Sequence, residues 1–276
     1  MENLALILFF ILGTIVGSFL NVVIYRFKTG KKITSGRSIC MTCGRKLRWY
    51  ELIPVFSFLI QRGRCRRCHS RISPQYIFVE IGTGLLFGLV LYNFLPYFYF
   101  AIWPSILLVL LHLIIFSLLV VILVYDLRHK IIPNHFVYPF IIISLLLLFV
   151  NPLPIGPLFI WPAWTNLLAG PILALPFVLL WSFSRGRLMG LGDGKLILGI
   201  GWFLGLGAGL FSLILGFWIG ALTSLILIIF SPRILGFRKR KIDMKTEVPL
   251  APFLIISLIV TFFFSFDVST LARLFG

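Results

Sequence analysis

Eight apolar runs set the limits on what this chain can become. A helix that crosses a bilayer needs about 20 consecutive, mostly apolar residues. The stretch 4–25 meets that length without a charge. Further runs lie at about 77–96, 102–125, 136–150, 165–183, 196–208, 210–230 and 249–265. Composition agrees. Of 276 residues, 60% are hydrophobic and 12% charged, and the mean hydropathy is +1.07. A soluble domain is roughly 45–50% apolar and roughly 25% charged. A soluble globular enzyme, a disordered chain and a fibrous repeat are thereby excluded.

The first run has Glu2 ahead of it, no Lys or Arg, and no small-residue cleavage site. It therefore reads as a retained span rather than a signal peptide. Residues 196–230 form one uncharged run, too long for one helix and short for two. Gly205, Gly207 and Gly209 mark where it turns. The expected fold is an all-α polytopic membrane protein of about eight transmembrane helices, with a small cytoplasmic zinc-binding loop module. Two domains are expected. Residues 1–96 hold the first two spans and the loop 26–76, and residues 97–276 hold the other six spans.

Charge orients the layout. There are 25 Lys plus Arg against 8 acids, a formal net charge of +17. With the N-terminus outside, the inner segments are 26–76, 126–135, 184–195 and 231–248. They carry all but one of the basic residues, Arg273 being the exception. This is the skew of the positive-inside rule. Membrane lipid accounts for the basic charge, and no nucleic-acid partner is expected. Arg45, Lys46, Arg48, Arg62, Arg64, Arg66, Arg67 and Arg71 would face anionic headgroups. Between the cysteine pairs, the apolar segment 52–60 is too short to span. It is expected to pack under the module or rest on the membrane surface.

All four cysteines lie in the first inner loop, as the pairs Cys40–Cys43 and Cys65–Cys68 with 21 residues between them. Two CxxC knuckles can place four thiolates around one zinc, and a site with all four positions taken is structural. Disulfides suit a reducing compartment poorly. Four unliganded thiols are the remaining alternative.

With so few acids, their positions carry information, because ionisable groups at membrane depth are costly. Asp126 ends the third span in YDLRHKIIPNH, and Asp193 opens the sixth in MGLGDGKL. The layout puts both at the inner membrane edge. Two carboxylates that share a proton can supply a base and an acid for hydrolysis. Gly190, Gly192 and Gly194 would let a substrate backbone approach Asp193, with Lys195 beside them. The plainer alternative pairs Asp126 with Arg128 or Lys130, and Asp193 with Lys195 or Arg187. Glu80, one turn inside the second span, would bind a substrate amine or cofactor, or pair with Arg26 or Arg71. His112 reads as a hydrogen-bonded structural histidine. Asp243 and Glu247 read as solvated.

In order and spacing, GSFLNVVIYR (17–26), the CxxC…CxxC loop with RWYELIPVFSFL (48–59), VEIGTGLLF (79–87), DLRHKIIPN (126–134), GLGDGKL (190–196) and VPLAPFL (248–254) resemble the type IV prepilin peptidases. The resemblance spans nearly the whole chain. It implies an inner-membrane GxGD-type aspartyl endopeptidase, multi-pass, with its active site at the cytoplasmic face. Such enzymes remove the leader of prepilins and pseudopilins after a glycine. Asp126 and Asp193 match the catalytic aspartates. Many members also N-methylate the new terminus with S-adenosylmethionine, an activity the resemblance links to the cysteine loop, Glu80 and Gly84. Two positions depart from the pattern: Ala251-Pro252-Phe253 stands where pilin-class members usually have Gly-Pro-Phe, and Glu51 where Asp is common. A cation- or proton-coupled transporter using Asp126 and Asp193 is the competing expectation. Against it, no internal repeat is seen and both acids sit at one face.

Overall fold

The computed structural model describes residues 2–29, 32, 36–150, 159–187, 189–234 and 249–267. Asp243, Glu247 and Arg273 lie outside the described residues. Each apolar run has become a helix. They are α1 (Glu2–Arg26), α3 (Gln75–Phe98), α4 (Ile102–His129), α5 (Asn134–Leu147), α6 (Trp164–Ser184), α7 (Leu191–Leu204), α8 (Leu206–Ile234) and α9 (Ala251–Phe264). A five-residue helix, α2 (Phe56–Ile60), follows a 3-10 turn at Trp49–Leu52 in the first loop. Five helices, α1, α3, α4, α6 and α8, are long and apolar enough to cross a membrane. The helices α5 and α9 are apolar but shorter. The uncharged run breaks at Gly205, whose φ of +80° is open to glycine and strained for other residues.

Contacts divide the chain into two compact units, and the division falls within α4, at Val121/Ile122. In the first unit, α1 and α3 pack with their backbones nearly touching. A Cβ on Gly13 would lie 2.7 Å from Gly84 Cα, and one on Gly17 would lie 2.9 Å from Glu80 Cα. Apolar helices in a bilayer gain little by hiding from lipid, so close van der Waals contact through small residues carries their association. In the second unit, α7 is the hub, packing on α5, α6, α8 and α9. Gly201 meets Gly170 of α6 backbone to backbone, and Trp202 Nε1 donates to Leu167 O at 2.9 Å. The helix that begins with the GLGD segment is thus fixed along its length.

Candidate active site and metal centre

Asp126 occupies the last turn of α4 and is 4% exposed. The chain then leaves the helix through Lys130 at φ +54° and re-enters one at Pro133, the residue before α5. No lysine or arginine pairs with Asp126 among the described residues, which corrects the plainer expectation. Its carboxylate instead accepts the backbone N–H of Ala251, the first residue of α9. The first N–H groups of a helix have no partner within it. Here one of them is spent on Asp126.

Asp193 stands three residues after Gly190, the residue that caps α7. Its carboxylate accepts the Gly190 N–H. In return, its own N–H donates to Gly190 O at 3.2 Å. The carboxylate half of this exchange is that of a capping box. Both aspartates therefore lie against helix N-termini, where negative charge is favoured. They are also close enough that the charge on Asp126 acts on Asp193. Two carboxylates 67 residues apart in the sequence thus come within reach of each other's charge.

The neighbouring GLGDGK residues divide their roles. A Cβ on Gly190 would lie 3.5 Å from the Asp193 carboxylate. One on Gly192 would press on Ile132 at 3.0 Å, and one on Gly194 would touch Val178 at 3.4 Å. These two glycines admit the protein's own segments rather than open space. Lys195 does not pair with Asp193. Its Nζ donates to Asn134 Oδ1 at 3.0 Å and to Tyr138 OH at 2.9 Å, and lies over the Tyr138 ring. It ties the start of α7 to the start of α5.

The cysteine loop folds as two copies of one turn. Cys40 N–H donates to Arg45 O, and Gly44 N–H donates to Cys40 O. In the second copy, Cys65 N–H donates to Ser70 O, and His69 N–H to Cys65 O. Gly44 and His69 hold the equivalent left-handed positions. The four cysteines are free, and their sulfurs all lie within 4.8 Å of one another. Cys40 and Cys68 Sγ are 3.8 Å apart. Four Zn–S bonds of about 2.3 Å in a tetrahedron place sulfurs about 3.8 Å apart, so the donor set fits zinc. The Cys43 backbone N–H holds the Cys40 thiol down at about 6, and the Ser70 hydroxyl lowers that of Cys68. Thiolates are the form a metal takes. Outside the sulfurs, Arg45 donates to both Cys65 and Glu51. Glu51 also accepts the Arg48 N–H at 2.8 Å. Burial alone would raise the Glu51 carboxyl, but Arg48 N–H and Arg45 outweigh it and hold it low.

Glu80 is buried in α3. It pairs with neither Arg26 nor Arg71 and instead accepts the Val55 N–H at 2.7 Å and the Ser18 hydroxyl. It lines a cavity of about 320 Å³ beneath the cysteine module. Gly84, one turn further along α3, lies instead in the α1 contact, where its Cβ would meet Thr14 and Phe10. His112 bonds to Leu108 O at 2.7 Å and packs on Phe94, a structural role as expected. Sequence reasoning missed the Ala251 N–H. The sign was Pro252, since proline favours the first turn of a helix.

Comparison with known proteins bears on all of these residues. The Bacterial Peptidase A24 N-terminal domain matches residues 11–94, and the Type IV leader peptidase family matches residues 113–225. A prepilin leader peptidase/N-methyltransferase of Vibrio cholerae is 30% identical over 273 residues, 95% of this chain and 98% of that protein. The chain belongs to the type IV leader peptidase family. A family relative of the same name from Myxococcus xanthus is 34% identical over 229 residues, 81% of this chain but only 63% of that protein's length. Another, from Bacillus subtilis, is 34% identical over 199 residues, 71% and 72% of the two chains. No solved structure matches this family member. Membership makes the chain an enzyme with several membrane-crossing helices. The transporter expectation finds no support in these relatives.

Proposed function

We propose that this chain is a membrane-embedded aspartyl endopeptidase that removes the leader of type IV prepilins or pseudopilins after a glycine, and then N-methylates the new terminus. The observation that carries the peptidase reading is the meeting of Asp126 and Asp193 at two helix N-termini. The relatives' printed names support the substrate class and both activities. The charge skew supports an inner-membrane setting, with the N-terminus outside and the dyad at the cytoplasmic face.

In the peptidase step, one carboxylate is ionised and takes a proton from water as it attacks the scissile carbonyl. The other, protonated, donates to the carbonyl oxygen and later helps the amine leave. Two close carboxylates titrate as a pair, so the proton belongs to the dyad. The Ala251 and Gly190 N–H groups hold the two carboxyls in place, and Lys195 anchors the start of α7. Cys40, Cys43, Cys65 and Cys68 would hold a structural zinc, which supplies folding energy to the loop. S-adenosylmethionine would supply the methyl group.

The test is cleavage of a membrane-embedded prepilin by the purified full chain. Asp126→Asn and Asp193→Asn should each lower the rate by about 10²–10⁴-fold, since both acid and base are needed. Substrate binding should persist in both variants. Normal cleavage by either variant would remove the dyad mechanism.

A further inference from the structure

The short helix α2 keeps a bare apolar face. Phe56, Leu59 and Ile60 are each between 57% and 69% exposed. Their spacing, i, i+3 and i+4, puts them on one side of the helix. Ser57 and Phe58 take the other side and line the cavity against α1 and α3. Trp49, in the 3-10 turn that packs beside α2, is exposed as well. The level of α2 along α3 is fixed. Val55, the residue before α2, donates its N–H to Glu80 at 2.7 Å. Glu80 is five residues on from Gln75, the start of α3. At about 1.5 Å per residue it lies about 7.5 Å along the axis. The helix α3 is long and apolar enough to cross a membrane, so its first turns mark one membrane edge. Helices that lie in that interface sink their apolar face about 5–10 Å into the headgroup boundary.

Arginines close the helix. It ends in a Schellman motif, in which Gly63 N–H donates to Phe58 O and Arg62 N–H to Leu59 O, both at 3.0 Å. Arg62 holds the left-handed position at φ +51°, where glycine is usual and a side chain is strained. Beside it is an open hollow of about 670 Å³, within the size range of ligand pockets. Ile60, Gln61, Arg62, Arg64, Arg66 and His69 line it, with the buried Cys65 behind them. No carboxylate lines it. Among the described residues, Arg62 and Arg64 have no acidic partner. Arg66 is propped over the Tyr50 ring at 5.1 Å. Residues 36–73 hold nine Lys plus Arg against one acid, Glu51, which Arg45 already binds. Four thiolates on a zinc would form a doubly negative centre, and the basic excess outweighs it. Three guanidiniums around one hollow suit the bidentate contacts that phosphate oxygens take.

We infer that α2 lies in the membrane interface with Phe56, Leu59 and Ile60 against acyl chains, and that the arginine hollow holds the phosphate of an anionic phospholipid. The juxtaposition selects the occupant. A free phosphate would use the arginines and leave the apolar face in water, whereas a lipid uses both. Ile60 belongs to the apolar face and to the rim of the hollow, so the two surfaces are continuous. An apolar face bordered by cations is what binds a helix flat to an anionic leaflet. The cysteine module is then held at one depth from two sides, by Val55 on α3 and by α2 on lipid.

The experiment uses the full chain. Native mass spectrometry from detergent titrates phosphatidylglycerol against phosphatidylcholine, and the wild type should hold the anionic lipid at least about 10-fold more tightly. Arg62→Gln with Arg64→Gln should weaken that binding by about 25-fold, since each basic residue at an anionic surface is worth about five-fold. Arg37→Gln with Lys46→Gln removes the same charge from outside the hollow. It should cost about two-fold or less, because exposed charges are screened by salt. Phe56→Ser with Ile60→Ser should weaken lipid binding by about 10-fold or more. Thermal midpoints in lipid-free detergent, unchanged in each variant, report folding. A measurement on the wild type needs no variant. In nanodiscs, amides of residues 55–66 should exchange at least about 10-fold more slowly with phosphatidylglycerol than with phosphatidylcholine. Equal losses from the two basic pairs would mean diffuse attraction without a site. Displacement of the lipid by inorganic phosphate, with no effect of the Phe56 and Ile60 changes, would mean a soluble phosphate site. Equal exchange in the two kinds of nanodisc would mean that this face meets something other than lipid. Each of these three results overturns the inference.

Discussion

At the scale of single residues, the rare acids and the cysteines were legible because a membrane protein keeps few of either without use. Asp126, Asp193 and the two CxxC pairs announced themselves by type and place. Their partners did not. Arg45 is one of many basic residues in its loop, and nothing in the sequence says that it alone bridges Glu51 and Cys65. Val55 looks like any strand former, yet it sits at positive φ under Glu80. Such roles depend on where the chain returns in space. The Arg45–Glu51 link yields a prediction. Glu51→Gln leaves the half-buried Arg45 without its anion and loosens the support around Cys65. Outer-shell partners of this kind typically change metal affinity by about 10–100-fold, so zinc retention against a chelator should weaken by that order. The measurement is metal content after dialysis, with wild type alongside. Full retention would mean that Arg45 balances the sulfurs unaided.

At the scale of elements, the helices were readable and their contacts were not. Apolar length gave eight segments, and the glycine cluster placed the break near Gly205, because one residue there must take a backbone that others resist. Which glycines serve helix packing is invisible in a string that holds many. In the structure, Gly201 and Gly170 bring α7 and α6 together, whereas Gly82 of α3 faces open space. The two cases predict opposite outcomes. Gly201→Val puts atoms where the α6 backbone already lies, and overpacking of that kind costs about 1–3 kcal/mol or more. It should lower the thermal midpoint in detergent and, because α7 begins at the GLGD segment, lower cleavage too. Gly82→Ala should be neutral or stabilising by about 0.5–1 kcal/mol, since alanine loses less backbone entropy in a helix. Equal effects from the two substitutions would mean that the α6–α7 contact yields easily.

At the scale of the whole molecule, the cysteine module and the aspartate pair fall in different compact units. The cysteine module, Glu80 and the cavity belong to the first unit, and Asp126 and Asp193 to the second. The sequence hinted at this division through the loop-bearing first two spans. It could not show that the contact boundary falls within α4, because a continuous apolar helix carries no mark where its neighbours change. Separate units should fail separately. The cysteine module contributes Cys40 and Cys65 to the cavity wall, and its segment 52–60 reaches Glu80 through Val55. Nothing in the chemistry proposed for the dyad uses a thiolate. Replacing all four cysteines by serine removes the thiolates that would hold the proposed metal. Loss of such a site costs the folding energy that metal binding supplies to a small loop module. Methylation should therefore fall by at least about 10-fold, the lower end of what disturbing a metal site does to activity. Leader cleavage should change by no more than about two-fold, far less than the roughly 10²–10⁴-fold expected on losing either aspartate. Both rates can be read from one digestion by mass spectrometry. If cleavage falls as steeply as methylation, the second unit depends on the metal-bearing loop, and the two activities share one structural support.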